Sequence, residues 1–202
     1  DDLVAVRRAI DEATSHLSPT ITLRPVHDQR RILIMVSKQD HCLVDLLYRR
    51  QQGELHVEIP VIVSNHPDCE PIAAAHGIPF VHLPVTPETK QAQEQRVREL
   101  MVEYSIDAVV LARYMQVLSD EFCAELEGRA INIHHSFLPG FKGARPYHQA
   151  YARGVKIIGA TAHFVSAELD EGPIIEQDVA RVTHAQDAEH LAEIGRDVER
   201  VV

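Results

Sequence analysis

From residue 31 onward, apolar positions alternate between strand-like runs and helix-like spacing. Ile32 to Val36 is a continuous apolar run, which is typical of a strand covered on both faces. A polar turn follows it, and Leu43, Leu46 and Leu47 then recur at helical spacing. The same alternation predicts strands at 59–63, 80–83, 108–112 and 131–135, with helices between them. This succession indicates an α/β fold with a mostly parallel sheet and helices on both faces.

Residues that favour helix starts mark two of the helices. Thr86 and Pro87 predict the start of the helix before the fourth strand, and Ser119 predicts the start of the short helix after it. The remaining predicted elements are a loop at 136–145, a helix at 146–154, strands at 157–165 and 174–182, and a last helix from residue 191.

The first thirty residues do not follow this alternation. Leu3, Val6 and Ile10 lie at helical spacing and predict an amphipathic helix over residues 1–16. Residues 20–23 predict a short strand, and the polar residues 26–30 predict a linker. One helix and one strand cannot bury a core by themselves, so we expect residues 1–25 to be part of another domain or an added arm.

The composition narrows the class of protein. Twenty Lys and Arg against thirty Asp and Glu give a formal net charge of −10, and the basic residues form no stripe, which argues against a nucleic-acid partner. No apolar run approaches the roughly 20 residues of a membrane-spanning helix. Three widely spaced cysteines (Cys42, Cys69 and Cys123) and the lack of a secretion signal predict a cytoplasmic protein with reduced thiols. Because residue 1 is Asp and not Met, we expect a trimmed chain.

The stretch from Ile131 to Ser136 holds the most informative candidate chemistry. Side chains alternate across a strand, so Asn132 and His134 share one face at the end of a predicted strand. The amide donates and accepts hydrogen bonds, and the imidazole also carries a proton near neutral pH, which suits chemistry on a carbonyl group. On this stretch alone, a buried polar pair that is satisfied by loop carbonyls is an equally good interpretation.

A second polar cluster lies at 161–173, where His163 precedes an acidic turn. A carboxylate of this turn could orient an imidazole or hold a water molecule, although we expect Glu168 and Glu171 to be solvated. Other kinds of site have less support. The histidines show no metal-binding spacing, Ser136 lacks a GxSxG frame, and no glycine-rich phosphate loop follows the first strand.

Five segments together resemble the folate-dependent formyl-transfer family, from about residue 31 to the end of the chain. They are VSKQDHCLVDLL (36–47), LARYMQVLS (111–119), INIHHSFLPGFKGARPYHQAY (131–151), GATAHFV (159–165) and LDEGPIIEQ (169–177). The resemblance implies a doubly wound, Rossmann-like sheet of the formyltransferase type. It also implies a catalytic set of Asn132, His134 and Asp170, and a folate pocket lined by Met115, Gln116, Val117 and Leu118.

The same resemblance implies how the chain is organised. Residues 1–25 resemble the end of a small α+β regulatory domain, the ACT domain, and 26–30 are the expected linker. Residues 31–202 are the expected formyltransferase-like hydrolase domain, with its last helix and strand missing. We expect a homo-oligomer that needs no cofactor and no metal beyond its folate substrate, and that has no nucleic-acid or membrane partner.

Within the family, the residues favour hydrolysis of 10-formyltetrahydrofolate to formate and tetrahydrofolate, which would supply formate for purine biosynthesis and balance one-carbon folate pools. Water would attack the formyl carbon, Asn132 and a protonated His134 would stabilise the oxyanion, and Asp170 would orient the water and handle its proton. Transferase members hold a phosphorylated amine on a glycine-rich loop, whereas residues 37–41 here contain no glycine. Formyl transfer to an amine such as glycinamide ribonucleotide stays an alternative, and so does a catalytically silent folate-binding module.

Overall fold

Seven strands and seven helices make up the part of the chain that the computed structural model describes, which is residues 2–23, 25, 28–140 and 145–202. The strands are β1 (Arg30–Val36), β2 (Val57–Ser64), β3 (Phe80–His82), β4 (Ala108–Leu111), β5 (Ala130–His134), β6 (Ile157–Phe164) and β7 (Ile174–Arg181). The helices are α1 (Asp2–Thr14), α2 (His41–Gln52), α3 (Glu70–Ala75), α4 (Lys90–Glu103), α5 (Asp120–Glu125), α6 (Pro146–Arg153) and α7 (Ala188–Val201).

The seven strands form one sheet in the order β3-β2-β1-β4-β5-β6-β7. Neighbouring strands from β3 to β5 pair in parallel, whereas β6 pairs antiparallel with both β5 and β7. The mostly parallel α/β sheet predicted from the sequence is therefore confirmed. The chain moves outward from β1 to β3 and then returns to place β4 on the other side of β1, so the strand order reverses between β1 and β4. Ligands of such sheets bind beyond the carboxyl ends of the strands at this point.

Two apolar layers cover the two faces of the parallel part of the sheet, because successive side chains of a strand point to opposite faces. On β1, Leu33 and Met35 pack with residues of α4 and α5, while Ile34 and Val36 pack with residues of α2 and α3. All four side chains are fully buried, and burial of one such side chain contributes about 1.5–3 kcal/mol. Burial on both faces explains why β1 is a continuous apolar run in the sequence.

The antiparallel end of the sheet is covered by α6 and α7. Tyr147, Ile158 and Leu191 belong to a third apolar cluster at this end. The two helices approach so closely that a Cβ atom built on Gly195 would lie 2.0 Å from the Cζ atom of Tyr147. Position 195 therefore requires glycine for steric reasons.

Two local predictions are wrong. Residues 20–23 form no strand, since no described strand pairs with them and a strand needs a hydrogen-bonded neighbour. Helix α4 begins at Lys90 and not at Thr86, because the backbone amides of Thr86 and Thr89 bond to each other's hydroxyls (2.8 and 3.2 Å) and close a turn ahead of the helix. Ser119, by contrast, caps α5 as predicted and accepts from the amide of Phe122.

Helix α1 precedes the sheet and leaves much of its apolar side exposed, including Leu3, Val4 and Val6. The interpretation of residues 1–25 as part of a regulatory domain stays a prediction. Within the predicted linker, residues 26 and 27 lie outside the described residues, and Arg30 already belongs to β1. Across the described ranges, no helix combines the length and the hydropathy that crossing a bilayer requires.

Candidate functional site

A cavity of about 240 Å³ opens at the carboxyl ends of β4 and β5. Its walls come from the segment after β4, the end of β5, the end of β6 and the segment that connects β6 to β7. Asn132, His134 and Asp170 all line this cavity, and so do residues 115–118. Three separate segments thus bring together every site residue that was predicted from the sequence, although their roles stay predictions.

His134 and Asp170 form a buried pair in the cavity wall. The Nδ1 atom of His134 lies 3.1 Å from the Oδ1 atom of Asp170, and the two side chains are 5% and 6% exposed. The Nε2 atom of His134 is also buried and has no hydrogen-bond partner among the described residues. Buried polar atoms in folded proteins are almost always paired. An unpaired nitrogen on a cavity-lining residue therefore indicates a place for a polar atom of a ligand.

The backbone at Asp170 is held in an uncommon conformation. Its φ of 59° lies in the left-handed region, which aspartate tolerates but which is sparsely populated outside glycine. Two residues later, a Cβ atom on Gly172 would lie 1.7 Å from the carbonyl oxygen of Phe164, so only glycine fits there. This turn places Asp170 inward beside His134, while Glu168 and Glu171 are exposed, as expected for solvated residues.

His163 is a site residue for which the sequence suggested only that a carboxylate of the following turn could orient its imidazole. Its Nε2 atom lies 3.2 Å from Nδ2 of Asn132, and its Nδ1 atom lies 2.8 Å from the carbonyl oxygen of Phe164. A carbonyl only accepts hydrogen bonds, so Nδ1 carries the hydrogen and Nε2 accepts one from the Asn132 amide. Burial lowers the pKa of His163, which favours this neutral form.

The position of His163 depends on the antiparallel pairing of β5 and β6, which places it opposite Asn132. The Nε2 atom of His163 is also 3.9 Å from Oδ1 of Asp170. The signals in the sequence were its place before the acidic turn and its presence in the segment GATAHFV, and neither indicates a contact with Asn132. The hydrogen bond fixes the amide of Asn132 and directs its NH2 group to one side.

The segment after β4 forms the wall that was predicted to hold the folate. The amide of Met115 donates to the hydroxyl of Ser37 at the end of β1 (2.9 Å), and this hydroxyl donates to Oδ1 of Asn65 (2.6 Å). Leu118 is buried, whereas Met115 and Val117 are 49% and 59% exposed. Exposed apolar side chains on a cavity wall are typical of a surface that receives the apolar body of a ligand.

A buried charged network lies beside the cavity. The carboxylate of Glu199 in α7 accepts from the hydroxyl of Tyr147 (2.6 Å), and it lies 2.8 Å from Nε2 of His41 and 3.3 Å from Nε of Arg113. Burial alone would raise the pKa of Glu199, but these three partners together hold it below its usual value. None of these residues was assigned to the site from the sequence.

In the described part of the chain, His41, Cys42 and Glu199 form a group whose potential metal-ligand atoms lie within 4.8 Å of one another. Burial and the neighbouring Glu199 raise the pKa of the Cys42 thiol to about 12. The cation of Arg113 also lies 3.3 Å from the Glu199 carboxylate. The group is therefore poorly suited to a metal ion, and the absence of a metal requirement stays a prediction.

Comparisons with known proteins agree on one family. Residues 30–202 match the family model described as formyl transferase. The chain is 58% identical over 172 residues to a formyltetrahydrofolate deformylase of Synechocystis sp., a match that covers 85% of this chain and 60% of that relative's length. The crystal structure of a formyltetrahydrofolate deformylase from Burkholderia mallei has a TM-score of 0.91 and 55% identity, covering 98% of this chain and 71% of that one. A phosphoribosylglycinamide formyltransferase from Anaplasma phagocytophilum has a TM-score of 0.79 and 33% identity, covering 86% of this chain and 82% of that one.

Proposed function

Because the chain belongs to the formyl transferase family, as its motifs predicted, we propose that it hydrolyses 10-formyltetrahydrofolate to formate and tetrahydrofolate. The Synechocystis and Burkholderia mallei relatives, at 58% and 55% identity, both carry the name formyltetrahydrofolate deformylase. The observation that carries the proposal is the buried contact of His134 with Asp170, next to an unpaired His134 Nε2 atom in the cavity that Asn132 also lines.

In the proposed reaction, a water molecule adds its oxygen to the formyl carbon and loses one proton, so that the carbonyl oxygen becomes an oxyanion. The amide of Asn132 and the Nε2–H of a protonated His134 donate to this oxyanion, and one such donor is typically worth about 2.7–4 kcal/mol. Asp170 orients the water and accepts its proton, an effect of the order of 10²–10⁴ in rate. The bond from carbon to N10 then breaks and N10 takes a proton from His134. The net products are formate, tetrahydrofolate and one proton.

We assign the pterin ring of the substrate to the wall formed by residues 115–118. Two features of this wall support the assignment. Met115 and Val117 offer exposed apolar surface, and the segment is tied to β1 through Ser37, which keeps its backbone groups in place. A rigid apolar wall with a few fixed polar groups is typical of pockets for flat heterocyclic ligands.

Formyl transfer to an amine is the second candidate function. A phosphoribosylglycinamide formyltransferase shares the fold at 33% identity, which favours this alternative. The turn after β1, Ser37 to Asp40, contains no glycine, which argues against it, because phosphate cradles on such turns use glycine to bring backbone amides close to the ligand.

The experiment that separates these functions is an assay of formate release from 10-formyltetrahydrofolate, with and without added amines. Hydrolysis predicts formate at an unchanged rate without an amine, whereas transfer predicts turnover that depends on the acceptor. A silent folate-binding module predicts binding without turnover. We expect Asn132→Ala and His134→Ala to lower kcat by about 10²–10³, the usual loss for one oxyanion donor. The exposed His190→Asn is the matched control, and a site variant that keeps most of its activity would show that its residue is misassigned.

We further propose that residues 31–202 are the catalytic domain and that residues 1–25 belong to a regulatory ACT domain. The family match starts at residue 30, which supports a boundary near the predicted linker. For the whole protein we propose a cytoplasmic homo-oligomer that supplies formate for purine biosynthesis. Gel filtration with light scattering tests the oligomeric state.

A further inference from the structure

Arg113 occupies the crevice between the carboxyl ends of β1 and β4. The strand order reverses between these two strands, which is where sheets of this kind bind their ligands. Arg113 is the second residue after β4, and its Nε and Nη2 atoms both donate to Oε1 of Gln39, which follows β1 (2.7 Å from Nε). Side chains of the protein itself therefore bridge this crevice.

A second anchor fixes the guanidinium from the other side. The Arg113 side chain is 6% exposed, and its Nε atom lies 3.3 Å from Oε2 of Glu199, which is 1% exposed. Glu199 is itself held by Tyr147 and His41. Since the partners come from α6, α7 and the start of α2, the position of the guanidinium is determined by the packing of several elements.

Two further observations indicate that the Arg113 side chain has a role of its own. The backbone at Arg113 has a φ of 63°, a conformation in which glycine is unstrained and arginine is not. Its Nη1 atom is buried and unpaired among the described residues, a property that it shares with His134 Nε2. Both residues line the same cavity. A strained position that carries a buried cation beside the site is typical of a functional constraint.

We propose that Arg113, held by Gln39 and Glu199, fills the space in which a second substrate would bind and thereby restricts the formyl acceptor to water. The inference rests on the proposed function, and it identifies the Arg113 side chain as the feature that favours hydrolysis over transfer. The guanidinium blocks the approach of an amine by its volume, and its charge repels the protonated form of an amine at short range. Water is small and neutral, so it can reach the formyl carbon past the guanidinium. The unpaired Nη1 atom can then donate a hydrogen bond to an oxygen atom of water or of the product formate.

The test is the ratio of N-formyl product to formate in the presence of two probe amines, hydroxylamine and glycinamide. We expect formate to be the main product of the wild type, with a low ratio of N-formyl product to formate. In Arg113→Ala, which opens the crevice, we expect the ratio to rise by about tenfold or more, the usual effect of one missing group in a pocket. Arg113→Lys keeps a cation in this space and should stay close to the wild type. Guanidinium ions at millimolar concentration should refill the space in Arg113→Ala and lower its ratio again.

Loss of Arg113 leaves the buried Glu199 without its cation, which could prevent folding. The double variant Arg113→Ala/Glu199→Gln removes both charges and therefore leaves no unpaired carboxylate. Gln39→Ala keeps Arg113 but removes one of its two anchors, so that the guanidinium can move out of the crevice. Arg129→Ala is the control, because Arg129 is exposed and directly precedes β5, at the amino ends of the parallel strands. If the wild type releases formate and the folded variants show an unchanged ratio, the role of Arg113 is overturned while the proposed function stands. A wild type that releases no formate would overturn the proposed function, and this inference with it.

Discussion

His163 should act on catalysis through Asn132, and the expected size of the effect follows from their contact. In His163→Leu, the apolar volume is largely kept, but the Asn132 amide loses the acceptor that lies 3.2 Å away. A buried donor without a partner costs about 1–3 kcal/mol. The Asn132 amide can avoid this cost by rotating toward another acceptor, and it then no longer points at the formyl oxygen. Because an oxyanion donor is worth about 2.7–4 kcal/mol, we expect part of that amount to be lost. The predicted decrease in kcat is about 10- to 100-fold, with little change in KM.

A double-mutant cycle on formate release measures this effect. If His163 works only by holding Asn132, the double variant Asn132→Ala/His163→Leu should be about as slow as Asn132→Ala alone, because non-additivity reports direct coupling. His163→Gln should recover part of the rate, since its amide oxygen can accept from Asn132. Losses that simply multiply in the double variant would refute the positioning role.

Two other predictions concern stability. Gly195→Ala should lower the free energy of unfolding by about 1–3 kcal/mol, because its methyl group would overlap the Tyr147 ring. Urea unfolding measures this change, and the exposed Arg196→Ala on the same helix is the control. Equal stabilities of the two variants would contradict the prediction. Burial and the nearby Arg113 lower the pKa of His135 to about 3. The unfolded chain therefore takes up a proton below pH 6.5 that the folded chain does not, and stability should fall by roughly 2 kcal/mol from this group between pH 7 and pH 5. His135→Gln should lose this part of the pH dependence, and the same slope in both proteins would show that the assignment is wrong.

The sheet could be predicted from the sequence because its central strands are buried on both faces. The buried part of such a strand must be apolar throughout, as residues 32–36 of β1 are, and this property is visible locally. Residues 20–23 alternate between threonine and an apolar residue, which is also typical of a strand. A strand needs a pairing partner as well, however, and no local pattern records one. The start of α4 was misplaced for a similar reason, because Thr86 and Thr89 satisfy each other before the helix begins.

The site was predictable where its residues share one element. Asn132 and His134 follow from the alternation along β5, whereas Asp170 required the resemblance to a known family. His163 reaches Asn132 only through the antiparallel register of β5 and β6. Arg113 and Glu199 lie far apart in the sequence and meet only because α7 packs beside the end of β4, so no spacing rule could connect them.

The most direct test of the proposed hydrolysis is a single-turnover measurement of formate release without any amine, on the wild type and on Asp170→Asn. The amide keeps the size of the side chain but cannot accept the proton of the attacking water. We predict stoichiometric formate from the wild type and a rate at least about 10² lower in the variant, with tetrahydrofolate affinity and melting temperature unchanged. Formate release by Asp170→Asn at the rate of the wild type would contradict the account.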